Sequence, residues 1–162
     1  MNSRAEMISD AATLVSWRAK PRSFVALMAL YESNYIRLGW LAGSPASLAG
    51  EQRSRVEEDC ELVLRVTERC PYTTSFTLTY HFPTEPVEYP DMRVRIYHDA
   101  RLAEAQEWAS AHPHPVLRML HGRAERELDQ RWARNVMLNK WLEYCLERGH
   151  RFPSATETAT AP

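Results

Sequence analysis

The hydrophobic pattern of this chain changes period twice. Phe24, Leu27, Met28, Tyr31, Tyr35, Leu38 and Leu41 recur at helical spacing. Pro21 suits a first helical position, where its missing N–H would be unsatisfied anyway. Gly43, Ser44 and Pro45 stop the run. The pattern predicts a helix over 21–41 and a loop over 43–54.

From Val56 the period becomes two. Leu62, Leu64 and Val66 alternate with Val63, Arg65 and Thr67. Beyond Cys70-Pro71, Tyr72, Thr74, Phe76, Leu78 and Tyr80 alternate with Thr73, Ser75, Thr77, Thr79 and His81. Two alternating runs across a short turn predict a hairpin. After a proline-punctuated stretch, Met92, Val94 and Ile96 alternate with Arg93, Arg95 and Tyr97, a third strand. Successive strand residues point to opposite faces. One face is therefore apolar, and the other carries Arg65, Thr67, Arg69, Thr73, Ser75, Thr77, Thr79, Arg93, Arg95 and Tyr97. A single bulge would move the residues beyond it to the other face.

Asp99 is placed as the N-cap of a short helix through Ser110. The period returns to helical from Ala124 to Arg148, with Leu128, Trp132, Leu138, Trp141, Leu142, Cys145 and Leu146 on one stripe and Gly149 as a stop. These elements predict one α+β domain: an antiparallel sheet of three to four strands packed against long N-terminal and C-terminal helices. Its expected extent is 21–150, after a flexible segment 1–20 and before a disordered tail 151–162.

The 162 residues suit one domain, and the net charge of −1 disfavours nucleic acid as a partner. No apolar run is long enough to span a bilayer. Residues 1–10 lack the apolar stretch of a secretory signal. Cys60, Cys70 and Cys145 form no metal-binding or disulfide spacing, so a cytosolic protein with reduced thiols is expected. Eighteen of the twenty basic residues are arginine. Arginine favours bidentate contacts to carboxylate and phosphate, although coding bias gives the same excess.

Certain segments also carry a resemblance. The third strand and its exit read Val94-Arg95-Ile96-Tyr97-His98-Asp99-Ala100, followed by Ala103-Glu104. The last helix holds Asn135, Leu138, Trp141-Leu142, Tyr144-Cys145-Leu146 and then Gly149; the first holds Glu32, Asn34, Tyr35 and Leu38; the hairpin holds Glu68 and Tyr72-Thr73-Thr74. Together these resemble the YqiB-like family of small bacterial proteins, a domain of unknown function (DUF1249), over residues 22–150. The resemblance implies no established activity. Arg131 and Ala133 stand where that family usually has lysine and glutamine.

Candidate chemistry concentrates at the end of the third strand. His98 beside Asp99 could supply acid–base function, but adjacent strand residues face opposite ways. Arg93, Arg95, Tyr97 and Arg65 share the polar face and could hold an anion, with Tyr72, Glu104 and Asn34 as further ligand contacts. The competing reading is a solvated face of threonines and acid-paired arginines. His112, His114 and His121 read as surface-loop histidines, and no spacing implies a metal or cofactor. The leading expectation is a non-catalytic binding or interaction module, with a second copy, another protein or a small anion as its partner. The alternative is a small enzyme or sensor for a phosphorylated or nucleotide-like anion.

Overall fold

The computed structural model describes residues 23–84, 92–108, 116, 119 and 130–153. Helix α1 (Phe24–Ala42) begins one turn later than Pro21 suggests, because Ser23 caps it: its hydroxyl accepts the Ala26 N–H at 3.1 Å. Five strands follow: β1 (Glu51–Ser54), β2 (Glu61–Arg69), β3 (Thr73–His81), β4 (Met92–Tyr97) and β5 (Leu102–Trp108). They pair antiparallel in chain order, so the sheet is a meander. Helix α2 (Gln130–Arg148) closes the domain. The expected α2 residues 124–129 lie outside the described residues, as do 1–20, 154–162 and the histidines at 112, 114 and 121.

The expected α+β class holds, with five strands instead of three or four. Two segments account for the difference. The expected loop 43–54 contains a single 3-10 turn (Pro45–Ser47) and β1, whose Glu-Gln-Arg-Ser sequence has no apolar residue to signal a strand. The expected helix after Asp99 is β5. Its Ala- and Glu-rich sequence favours a helix locally, and pairing with β4 overrides that preference. Asp99 caps a turn instead: Oδ1 accepts the Ala100 N–H at 2.9 Å, and Arg101, with φ 54°, reverses the chain.

The core lies between the apolar sheet face and the two helices. Leu62, Leu64, Phe76, Leu78, Val94 and Ile96 pack with Leu38, Leu41, Leu138, Trp141, Leu142 and Cys145, all buried. On α1 the buried row is Ala26, Leu30, Asn34 and Leu38, spaced four apart. It includes an asparagine and leaves Phe24 76% exposed.

Helix α2 ends in a Schellman turn. Gly149 takes φ 91°; its N–H donates to Leu146 O at 3.1 Å, and the His150 N–H donates to Cys145 O at 3.0 Å. This reversal turns His150 back into the interior, where it is fully buried. Packing continues to Phe152, which is buried and donates its N–H to Leu41 O at 2.8 Å. Among the described residues no helix is long and apolar enough to cross a membrane.

Candidate functional site

The polar sheet face contains more acid than strand alternation implies. A bulge between Val66 and Glu68 sets Glu68 opposite Ser75 and moves Arg69 opposite Thr74. Arg69 therefore leaves the expected face and Glu68 joins it. A second bulge between Arg93 and Val94 sets Arg93 opposite Glu107, while Glu104 stands opposite Arg95.

The arginines on this face meet carboxylates. Arg65 donates to Glu51 at 2.6 Å, Arg93 lies 3.5 Å from Glu107, and Arg95 lies 3.7 Å from Glu68 while donating to Ser75 Oγ at 3.2 Å. The two guanidinium groups of Arg65 and Arg53 hold the Glu51 carboxyl below its usual pKa. Ser75, Thr77 and Thr79 are buried; Ser75 lies in register between Glu68 and Arg95, and Thr77 between Arg65 and Arg93.

The other expected site residues separate. His98 follows the alternation of Val94 and Ile96 toward the core side, where Nε2 lies 2.8 Å from Thr74 Oγ1. It does not meet Asp99, which is occupied in its turn. Tyr72 sits at the hairpin tip, 69% exposed. Asn34 is fully buried on the far side of β5 and belongs to an amide network. Asn135 Oδ1 accepts the Ala105 N–H at 2.8 Å and Asn34 Nδ2 at 3.3 Å. Asn34 Nδ2 also reaches Ala103 O at 3.4 Å, and Asn139 Nδ2 donates to Asn34 Oδ1 at 3.0 Å. These amides supply partners to the outer edge of β5 and so close an edge that would otherwise pair with another chain.

Tyr97 and Glu104, together with Arg131 and Arg134 of α2, act electrostatically on Tyr31 of α1. Burial, then the Glu104 charge, pushes the Tyr31 hydroxyl up to about 12. That hydroxyl is buried and makes no hydrogen bond.

A second constellation lies at the opposite end of the sheet. His150 Nε2 is 3.0 Å from Asp59 Oδ2, and His150 Nδ1 is 3.0 Å from Ser54 Oγ. Tyr80 donates to the same Asp59 oxygen at 2.7 Å. Because the phenolic proton is committed there, the 3.5 Å contact between Tyr80 and Cys145 Sγ leaves the thiol as donor. Ser54 Oγ accepts the Arg151 N–H at 3.0 Å. A neutral His150 with its proton on Nε2 satisfies every one of these bonds, taking the Ser54 proton on Nδ1. Burial, with a smaller push from the Asp59 charge and against the Tyr80 hydrogen bond, raises the Cys145 thiol to about 12. The set has the groups of a Ser–His–Asp relay. Its chemistry is confined, however: Ser54 and both ionisable side chains are sealed, at 6%, 0% and 2% exposure.

Outside this network is a cavity of about 850 Å³. Val56, Cys60, Phe82, Pro83, Val116 and Tyr144 form its largely apolar wall, and Arg53, Arg55, Glu58, Asp59, Glu61 and His81 supply polar groups. Ser54 is not in the lining. Glu61 accepts from Arg53 at 2.6 Å and also from Arg55. Partial burial raises its pKa, but the two guanidinium bonds outweigh that and hold the carboxyl below its usual range. Sequence reasoning missed Ser54, Asp59, Tyr80 and His150. They come from β1, the β1–β2 loop, β3 and the turn after α2, and only Gly149, as a helix stop, hinted that the chain turns inward there. Among the described residues no cluster of three His, Cys, Asp or Glu side chains could hold a metal ion.

The model of the family described as "Protein of unknown function (DUF1249)" matches residues 37–151. The chain is 32% identical to the "Uncharacterized protein YqiB" of Escherichia coli strain K12, over 78% of this chain and 90% of that protein. The same protein of strains O6:H1 and O157:H7 matches equally. No solved structure matches. Family match and identity extend over most of the domain, and the chain belongs to the DUF1249 family.

Proposed function

We propose that the protein is a non-catalytic binding protein whose ligand occupies the cavity beside Asp59. The cavity carries this reading: its volume, about 850 Å³, is in the range of small-molecule sites, and apolar walls with a few polar groups are their usual composition. The non-catalytic part rests on the sealed relay, since a nucleophile must reach its substrate and Ser54 is buried behind the lining. Its role there is to fasten the segment after α2 to β1 and the β1–β2 loop. Cys60, Cys70 and Cys145 form no disulfide, which supports a reducing compartment. The apolar residues exposed on α1, Val25, Ile36 and Trp40, carry less weight, because bare apolar surface does not define an occupant.

A thermal-shift screen of nucleotides, phosphates and small amphiphiles tests the reading. A ligand at about 100 times its Kd adds about 2.7 kcal/mol to stability. Val56→Trp, which fills the cavity from its wall, should remove that shift while the free protein melts near the wild-type temperature. The bound compound should be recovered unchanged. Turnover of the ligand, or a shift of equal size in V56W, would sink the proposal.

A second reading, an anion sensor, has its own observation. Tyr31 has a buried hydroxyl without a hydrogen-bond partner, within the electrostatic reach of Tyr97, Glu104, Arg131 and Arg134. A phosphate at that place would take the hydroxyl as a donor.

A further inference from the structure

Arg55 has an unusual position among the charged groups of the cavity. It follows β1 directly, and its side chain is 79% exposed. Its Nε donates to Glu61 Oε2, while Arg53 takes the other oxygen of that carboxylate. One acid is thus divided between two guanidinium groups. Among the described residues the terminal nitrogens of Arg55 have no hydrogen-bond partner, so most of its donor fork faces the cavity. The remaining acids are engaged elsewhere. Glu58 lies 3.5 Å from Arg148, and the Asp59 side chain is sealed against Tyr80 and His150. Beside the free fork the wall is apolar: Val56, Phe82, Pro83, Val116 and Tyr144.

We propose that the cavity binds an organic carboxylate with an apolar body, such as a medium-chain acyl or aryl acid, with Arg55 taking the headgroup. This rests on the cavity being a ligand site and adds the class of ligand. The planar fork of arginine matches a carboxylate bidentately, and holding its Nε on Glu61 fixes the direction of the open edge. The apolar wall contributes binding energy in proportion to the area it covers, without directionality. Headgroup and wall therefore divide selectivity and affinity between them, and each can be removed separately.

Decanoate, decanol and decylamine, below their micellar concentrations, are the probes. Binding is read by thermal shift and by protection of Cys60, which stands in the cavity wall, from alkylation, with exposed Cys70 as the internal reference in the same mass spectrum. Decanoate should bind about tenfold more tightly than decanol, the discrimination expected of a charge-assisted hydrogen bond. It should protect Cys60 and leave Cys70 reactive. Arg55→Glu, a change at an exposed side chain, should weaken decanoate about tenfold or more and leave decanol binding nearly unchanged. Equal affinity for all three probes, or no effect of R55E, overturns the carboxylate assignment while leaving a ligand-binding cavity. Failure of every probe to protect Cys60 overturns both.

Discussion

His150 Nε2 and Asp59 Oδ2 stand 3.0 Å apart with both side chains sealed from solvent, joining the turn after α2 to the β1–β2 loop. Water cannot replace either partner, so removing one leaves the other buried with one of its hydrogen bonds unmade. His150→Ala and Asp59→Ala should each cost about 3 kcal/mol in urea unfolding. The double substitution should cost clearly less than their sum, because the second change no longer breaks a bond. Additive losses would show that the two residues act independently.

Asn135 should be as sensitive as any apolar core residue. Its Oδ1 takes the Ala105 N–H and the Asn34 amide, and its Nδ2 donates to Arg131 O at 2.9 Å. Asn135→Ala orphans the β5 edge and opens a small cavity, for a loss of about 2–4 kcal/mol. Hydrogen exchange at Ala105 should accelerate with it, since local opening of β5 then costs less. Unchanged Ala105 protection would mean that the helices do not hold that edge.

These two networks explain why the sequence is legible in part. Strands β2, β3 and β4 follow from strict alternation, and α2 from its stripe of Trp132, Leu138, Trp141 and Cys145, all buried as expected. Helix α1 is legible in extent but not in facing. Its buried row includes Asn34, which a hydrophobic pattern skips, and that amide serves a strand whose own Ala-Glu sequence resembles a helix. The bulge at Val66–Glu68 leaves no signature that a count of two can detect, yet it decides which of Glu68 and Arg69 joins the polar face. The relay is less legible still. Ser54, Asp59, Tyr80 and His150 meet only through tertiary packing, and no spacing encodes it.

Tyr31 separates a packing role from a binding role. A buried hydroxyl without a partner carries a desolvation cost, so Tyr31→Phe should leave stability unchanged or raise it by up to about 1 kcal/mol. If the group around Tyr97, Glu104 and Arg131 takes phosphate, the same variant should bind inorganic phosphate more weakly than wild type in calorimetry. Loss of stability in Y31F would show that the hydroxyl has a structural partner.

Alkaline pH should destabilise the fold through Cys145. Its thiol ionises near 9 when exposed, and burial pushes it up to about 12 in the folded chain. Between those values the unfolded state has lost a proton that the folded state keeps. The unfolded state therefore binds fewer protons, and stability falls as pH rises. The thiol's contribution is complete below pH 9 and disappears as pH climbs toward 12. Tyr31, also raised to about 12, adds to the decline only above its ordinary value of 10. Tyr80, also pushed up chiefly by burial, joins Tyr31 there, so from pH 9 to 10 the cysteine carries the larger part of the decline, with a limiting slope of about 1.4 kcal/mol per pH unit. Urea titrations across that interval should give a clearly flatter dependence for Cys145→Ala than for wild type, whatever the variant's absolute stability. Parallel slopes would mean that the thiol ionises alike in both states, and that its burial in the folded chain does not hold the proton.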